Sequence, residues 1–149
     1  MTILWLDDKP MTIDYELQLI RETNPDIPIN TFIKIDELLV YLETNQNIQD
    51  SIFILDVMLI NEKEIHFRDT QVTIPEELMA GVTLYEECIS KYFADIPTIL
   101  YTSRGGNDTD VFSKIQDDVR FEESLFVIGK EELDTKFKKT LEKLGLNIW

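Results

Sequence analysis

The sequence predicts an α/β fold in which a parallel sheet is covered by helices on both faces. Three observations carry that prediction. Short apolar runs alternate with stretches of helical spacing along the whole chain. The apolar runs show no polar alternation, which marks strands buried on both sides rather than on one. The chain has 149 residues, 44% of them hydrophobic, which suits the core of one ordinary domain spanning 1–149.

The elements follow in order. "TILWL" is a first strand, and "PMTIDYELQLIRE" a helix with Ile13, Leu17 and Ile20 on one face and Pro10 suited to its first turn. "PINTFIKI" reads as a second strand and "DELLVYLETN" as a second helix. "SIFILDVML" is a third, strongly apolar strand, and "GVTLYEECISKYF" is helical. "PTILYTS" is a fourth strand. "DTDVFSKIQDDV" is a short helix with Asn107 or Asp108 as its cap. "SLFVIG" is a fifth strand, and "EELDTKFKKTLEKLG" closes the fold as a helix with Leu133, Phe137, Leu141 and Leu144 on one face. An insertion, 61–80, breaks this rhythm between the third strand and its helix, where about 2–6 residues are usual. Within it "EIHFRDTQVTI" predicts a small hairpin, and "PEELMA" a helical turn capped by Thr73.

Composition narrows the functional classes. The net charge of −15 opposes nucleic-acid binding and docking on anionic lipid, and suits a cation ligand or a basic protein surface. Cys88 is the single cysteine, so no internal disulfide forms, in keeping with a reducing cytoplasm. Met1 leads directly into a strand with no signal-peptide pattern, and no apolar run is long enough for a membrane span.

The chemistry gathers where the strands stop. "ILWLDDKP" runs four apolar residues into two adjacent carboxylates, Asp7 and Asp8. The third strand ends on Asp56, the fourth on Thr102 and Ser103, the fifth on Lys130. In a parallel sheet these ends share one edge, the edge where such folds bind ligands. Three carboxylates, an ammonium and a hydroxyl converging there form a kit for Mg²⁺ and phosphoryl chemistry. Asp56, held by "FILD", is the candidate nucleophile.

With these residues in order, the sequence resembles the receiver domain of two-component response regulators over nearly its whole length. "ILWLDDKP" resembles the paired acidic motif, "FILDVML" the phosphoacceptor strand, "PTILYTSRG" the fourth strand and "FVIGKEEL" the fifth-strand motif. The resemblance implies a doubly wound, flavodoxin-like sheet of order 2-1-3-4-5. It implies Asp56 as phosphoacceptor, Thr102 as switch hydroxyl and Lys130 as phosphate contact. It implies Mg²⁺ held by Asp7, Asp8, Asp56 and the backbone carbonyl of Met58. A histidine kinase or phosphotransfer protein would supply the phosphoryl group. With no output region after the last helix, a protein partner would read the state unless the chain is a piece of a larger protein, and a homodimer stays open.

Departures accompany the likeness. Glu131 stands where the family has a proline, Val127 stands at the switch aromatic with Phe126 one place off, and 61–80 replaces a short loop. These leave a second reading, a phosphorylation-independent pseudo-receiver that binds protein. A hydrolase of the haloacid dehalogenase kind is opposed by Met58, which stands where such enzymes need a second aspartate. His66, the single histidine, lacks the companions of a zinc site and is expected to pack the insertion. Arg104, two residues past Thr102, is a further candidate phosphate contact; "SRGGN" is a turn rather than a phosphate loop. The lysines of the last helix read as a solvated face or a docking surface.

Overall fold

Ile3 and Trp5 leave the first strand on one side and Leu4 and Leu6 on the other, and all four are wholly buried. Period-two alternation therefore divides the interior into two cores, one on each face of the sheet. The computed structural model describes residues 1–103 and 109–147. Its main sheet has β1 (Thr2–Leu6), β2 (Ile29–Phe32), β3 (Ser51–Leu55), β6 (Thr98–Thr102) and β7 (Leu125–Gly129) in the order β2-β1-β3-β6-β7, all parallel. Counted within the sheet, this is the expected order 2-1-3-4-5.

One core joins Ile3, Trp5, Ile54 and Tyr101 to α1 (Asp14–Thr23) and to the terminal helix α6 (Lys138–Lys143). The other joins Leu4, Leu6, Phe53 and Leu55 to α2 (Ile35–Thr44) and α3 (Ala80–Leu84). Helix α3 runs on through a π turn at Tyr85–Ile89 into α4 (Ser90–Tyr92). Helix α5 (Thr109–Ile115) covers the second core with Val111 and Ile115. A 3-10 turn, Pro10–Ile13, precedes α1 with Pro10 at its start. Among the described residues, no helix is long and apolar enough to cross a membrane.

The insertion forms the expected hairpin, β4 (Glu64–Phe67) with β5 (Thr70–Thr73). Ile65 and Phe67 point into the second core, while Glu64 and His66 face outward. His66 is therefore not a packing residue. The strand's alternation places it beside Glu64, whose Oε2 lies 2.8 Å from its Nε2. Phe67 meets the Tyr92 and Phe93 rings, and Arg68 lies over all three and pairs with Glu43 at 3.0 Å.

Two local expectations are corrected. Thr73 ends β5 and caps nothing; the following turn, Glu77–Met79, starts after Glu76 without a side-chain cap. The second strand stops at Phe32 rather than Ile35, because Glu37 Oε1 accepts from the backbone N–H of Ile33 and Lys34 and so starts α2 earlier. Arg104, the "SRGGN" turn and the Asn107 or Asp108 cap lie outside the described residues.

Candidate functional site

The carboxyl ends of β1, β3, β6 and β7 meet on one edge of the sheet. The β1–β3 ladder pairs Leu6 with Leu55, so Asp7 and Asp56 emerge level with each other. The ladder extends by one bond beyond the strands, from Asp56 N–H to the Leu6 carbonyl at 2.8 Å. Lys130 follows Gly129, which pairs with Thr102 at the end of β6.

Lys130 Nζ donates to Asp7 Oδ2 at 2.8 Å and lies 3.8 Å from Asp56 Oδ2. Its second acceptor is the Thr12 hydroxyl at 3.2 Å. Asp7 Oδ1 accepts from Lys9 N–H at 2.8 Å, which turns the chain away from β1. Asp8 Oδ2 accepts from Ile60 N–H at 2.9 Å, tying the first strand's end to the loop beyond Asp56. Asp7, Asp8 and Asp56 each present a carboxylate oxygen within 4.8 Å of the others. Oδ1 of Asp8 and Oδ1 of Asp56 are buried and have no hydrogen-bond partner among the described residues.

Two buried acceptors without donors, beside a third carboxylate, are costly by themselves. One ammonium faces three acids, and charge repulsion goes largely uncompensated. The effect is visible in Asp56. Burial first, then the charge of Asp7, pushes its carboxyl up to about 7 against the opposing pull of Lys130. A hard divalent cation is the species that such oxygens fit: it would supply the missing positive charge and accept both orphaned oxygens. Asp7, Asp8 and Asp56 are the side chains placed to hold it.

The floor is shaped by Gly81, whose N–H donates to the Val57 carbonyl at 2.8 Å. A Cβ at this position would overlap the Asp56 carbonyl oxygen, so only glycine lets α3 approach the strand end. Thr102 is wholly buried at the end of β6, one strand over from Asp56. Met58, two residues past Asp56, is half-buried.

On the opposite face, the Tyr101 hydroxyl donates to Glu16 Oε2 at 2.9 Å, with both residues buried. The ring stacks on Phe137 with centroids 4.4 Å apart and meets Trp5 edge-on at 5.9 Å. Burial and the Glu16 carboxylate raise the phenol's pKa, which keeps the proton on Tyr101.

Asp7, Asp8, Asp56 and Lys130, each expected from its place at a strand end, come together. Sequence reasoning missed Thr12. A hydroxyl in a helix's first turn resembles any helix start, and only the fold brings Lys130 to it. It also missed the bond from Ile60 N–H to Asp8, which depends on backbone alone.

Neither the protein-family models nor the curated proteins include a match to this chain. Solved structures do match it. One is the signal receiver domain of a DNA-binding response regulator from Colwellia psychrerythraea 34H, with TM-score 0.60 and 20% identity over 95% of this chain and 98% of that one. The chain has the receiver-domain fold. A response regulator receiver protein from Pseudoalteromonas atlantica matches with TM-score 0.62 and 15% identity, over 97% and 96% of the two chains. The isolated receiver domain of RcsB from Salmonella enterica serovar Typhimurium, solved with the phosphomimetic BeF3⁻, matches with TM-score 0.55 and 18% identity, over 99% and 91%.

Within that fold the departures have a physical form. Val127 lies level with Leu100 on the face that also bears Thr102, so β7 presents no aromatic ring on that face. Phe126 points into the other core beside Ile99 and Tyr101. Glu131 lies in a 3-10 turn, Lys130–Glu132, with its carboxylate against Gly129.

Proposed function

We propose that this chain is a phosphorylation-responsive receiver module in which Asp56 accepts a phosphoryl group. The observation that carries the reading is the set of orphaned buried oxygens on Asp8 and Asp56, beside Asp7 and within reach of one lysine. In the transfer, an Asp56 oxygen bonds to phosphorus as the donor's P–N or P–O bond breaks, and the leaving group keeps the electron pair. A bound Mg²⁺ would supply charge neutralisation for the phosphoryl oxygens. It would be held by Asp7, Asp8, Asp56 and the Met58 carbonyl. In this reading Lys130, whose Nζ lies 3.8 Å from Asp56 Oδ2, would meet one phosphoryl oxygen, and Thr102 another. The donor would be a histidine kinase, a phosphotransfer protein or a small phosphodonor, and the readout a protein partner.

The protonation state of Asp56 bears on its role as nucleophile. With its pKa near 7, Asp56 holds its proton in a large share of molecules at neutral pH. A cation held there would favour the ionised carboxylate.

A second reading, a pseudo-receiver that binds protein without phosphorylation, is favoured by Glu131 in place of the family's proline, by Val127 in place of its switch aromatic and by the insertion 61–80. Intact mass after incubation with acetyl phosphate, with and without Mg²⁺, separates the two. One Mg²⁺-dependent phosphoryl adduct, lost in Asp56→Asn, supports the first. No adduct in folded protein that binds Mg²⁺ supports the second.

A further inference from the structure

Lys130 stands in a closed circuit of hydrogen bonds that runs through the start of α1. Its ammonium donates to Asp7 Oδ2 at 2.8 Å and to the Thr12 hydroxyl oxygen at 3.2 Å. Thr12 donates in turn to the Lys9 carbonyl, through its hydroxyl at 2.7 Å and its backbone N–H at 2.9 Å. Lys9 N–H closes the circuit on Asp7 Oδ1 at 2.8 Å. The short turn Pro10–Ile13 brings Thr12 back to this place, and Pro10 at its start presets the first dihedral.

Each bond in the circuit fixes the next. The Thr12 hydroxyl has a single proton, and the Lys9 carbonyl takes it. Toward Lys130 that oxygen can therefore only accept. An ammonium carries three N–H donors. Asp7 and Thr12 hold two of them, which stops rotation about the Cε–Nζ bond and leaves the third. Asp56 Oδ2 lies 3.8 Å from Nζ, beyond hydrogen-bond length. A phosphoryl group on Asp56 would bring its oxygens into that gap. Without Thr12 the ammonium would pivot on Asp7 alone. Thr12 is exposed, so a water would take its place, but a water is not tethered to the chain.

We infer that Thr12 is a positioning residue for phosphoryl transfer: by anchoring Lys130 it reserves one ammonium N–H for an oxygen of the phosphoryl group moving onto Asp56. The inference rests on the reading of Asp56 as phosphoacceptor. As the bond from Asp56 oxygen to phosphorus forms and the donor's P–O bond breaks, the electron pair leaves with the donor. The phosphoryl oxygens keep their negative charge, which the reserved N–H meets.

The test compares the parent with Thr12→Val, which keeps the shape and removes the hydroxyl, and with Thr12→Ser, which keeps the hydroxyl. Circular dichroism checks folding. In chelator and without donor, the Lys130 Cε–Hε resonances should shift in Thr12→Val and stay near the parent position in Thr12→Ser. With acetyl phosphate and Mg²⁺, the maximal rate of adduct formation, read by intact mass, should fall about fivefold in Thr12→Val, the worth of one hydrogen bond. The half-saturating acetyl phosphate concentration should not change, and Thr12→Ser should restore the rate. A hydroxyl that only closes the turn would alter urea unfolding and leave both readouts at parent values. The inference is overturned if Thr12→Val reacts at the parent rate or faster, if Thr12→Ser is as slow as Thr12→Val, or if the resonances match in all three proteins. A parent that takes no phosphoryl group removes the reading of Asp56 and this role with it; a parent that reacts, matched by Thr12→Val, removes the role of Thr12 alone.

Discussion

Replacing Asp56 with asparagine should make the protein more stable at neutral and alkaline pH. The side chain keeps its shape and loses a charge that the fold accommodates badly. The Asp56 carboxyl rises from 3.8 to about 7, through burial and then through Asp7. A carboxyl raised on folding binds its proton more tightly in the native state. Between those two values the native protein therefore holds more protons than the unfolded chain, and stability falls as pH rises. At about 1.36 kcal/mol per unit, the full penalty above about pH 7 is of the order of 4 kcal/mol. Urea unfolding in chelator, repeated from about pH 4 to about pH 8, measures the difference between parent and Asp56→Asn. The two should converge at the acid end and separate as pH rises, the variant gaining. Millimolar Mg²⁺ should close much of the gap, because a cation that binds only the native parent stabilises it by mass action. Parallel curves across the range would refute the reasoning, since Asp56 would then titrate alike in both states.

Lys130→Met removes the ammonium that sits 2.8 Å from the nearly inaccessible Asp7 carboxylate, and should cost about 3 kcal/mol in urea unfolding. Adding Asp7→Asn to that variant should recover much of the loss, and a purely additive double variant would contradict the pairing. Gly81→Ala drives a methyl into the Asp56 carbonyl oxygen and should lose about 3 kcal/mol by the same assay, with weaker Mg²⁺ binding. Phe67→Ala deletes the ring that joins the hairpin to Tyr92 and Phe93. It should destabilise by about 3–5 kcal/mol, and amide exchange should quicken first across β4 and β5.

The pocket was legible because each of its charged residues interrupts an apolar run. Asp7 after "ILWL" and Asp56 after "FIL" are abrupt endings, and a parallel sheet brings such endings together by topology alone. Hairpin formation was legible in the alternation of "EIHF", but the default of packing His66 ignored the phase of that alternation, which puts Ile65 and Phe67 inside. Glu16 shares a helical face with Ile13 and Ile20, and such an acid on an apolar face asks for a partner. Tyr101, eighty-five residues away, answers only in three dimensions. The early end of the second strand depended on Glu37 reaching back to Ile33 and Lys34, a competition between capping and strand propensity that apolar periodicity does not register.

The Tyr101–Glu16 bond has a mechanical consequence. Tyr101 immediately precedes Thr102, so the residue beside the pocket is bolted to α1 through a phenol, and by a ring stack to Phe137, the last residue of the π turn Leu133–Phe137 that leads into α6. A pull on Thr102 toward the carboxylates must either shear that buried bond or carry both helices with it. A displacement of Thr102 would therefore strain contacts on the opposite face of the sheet.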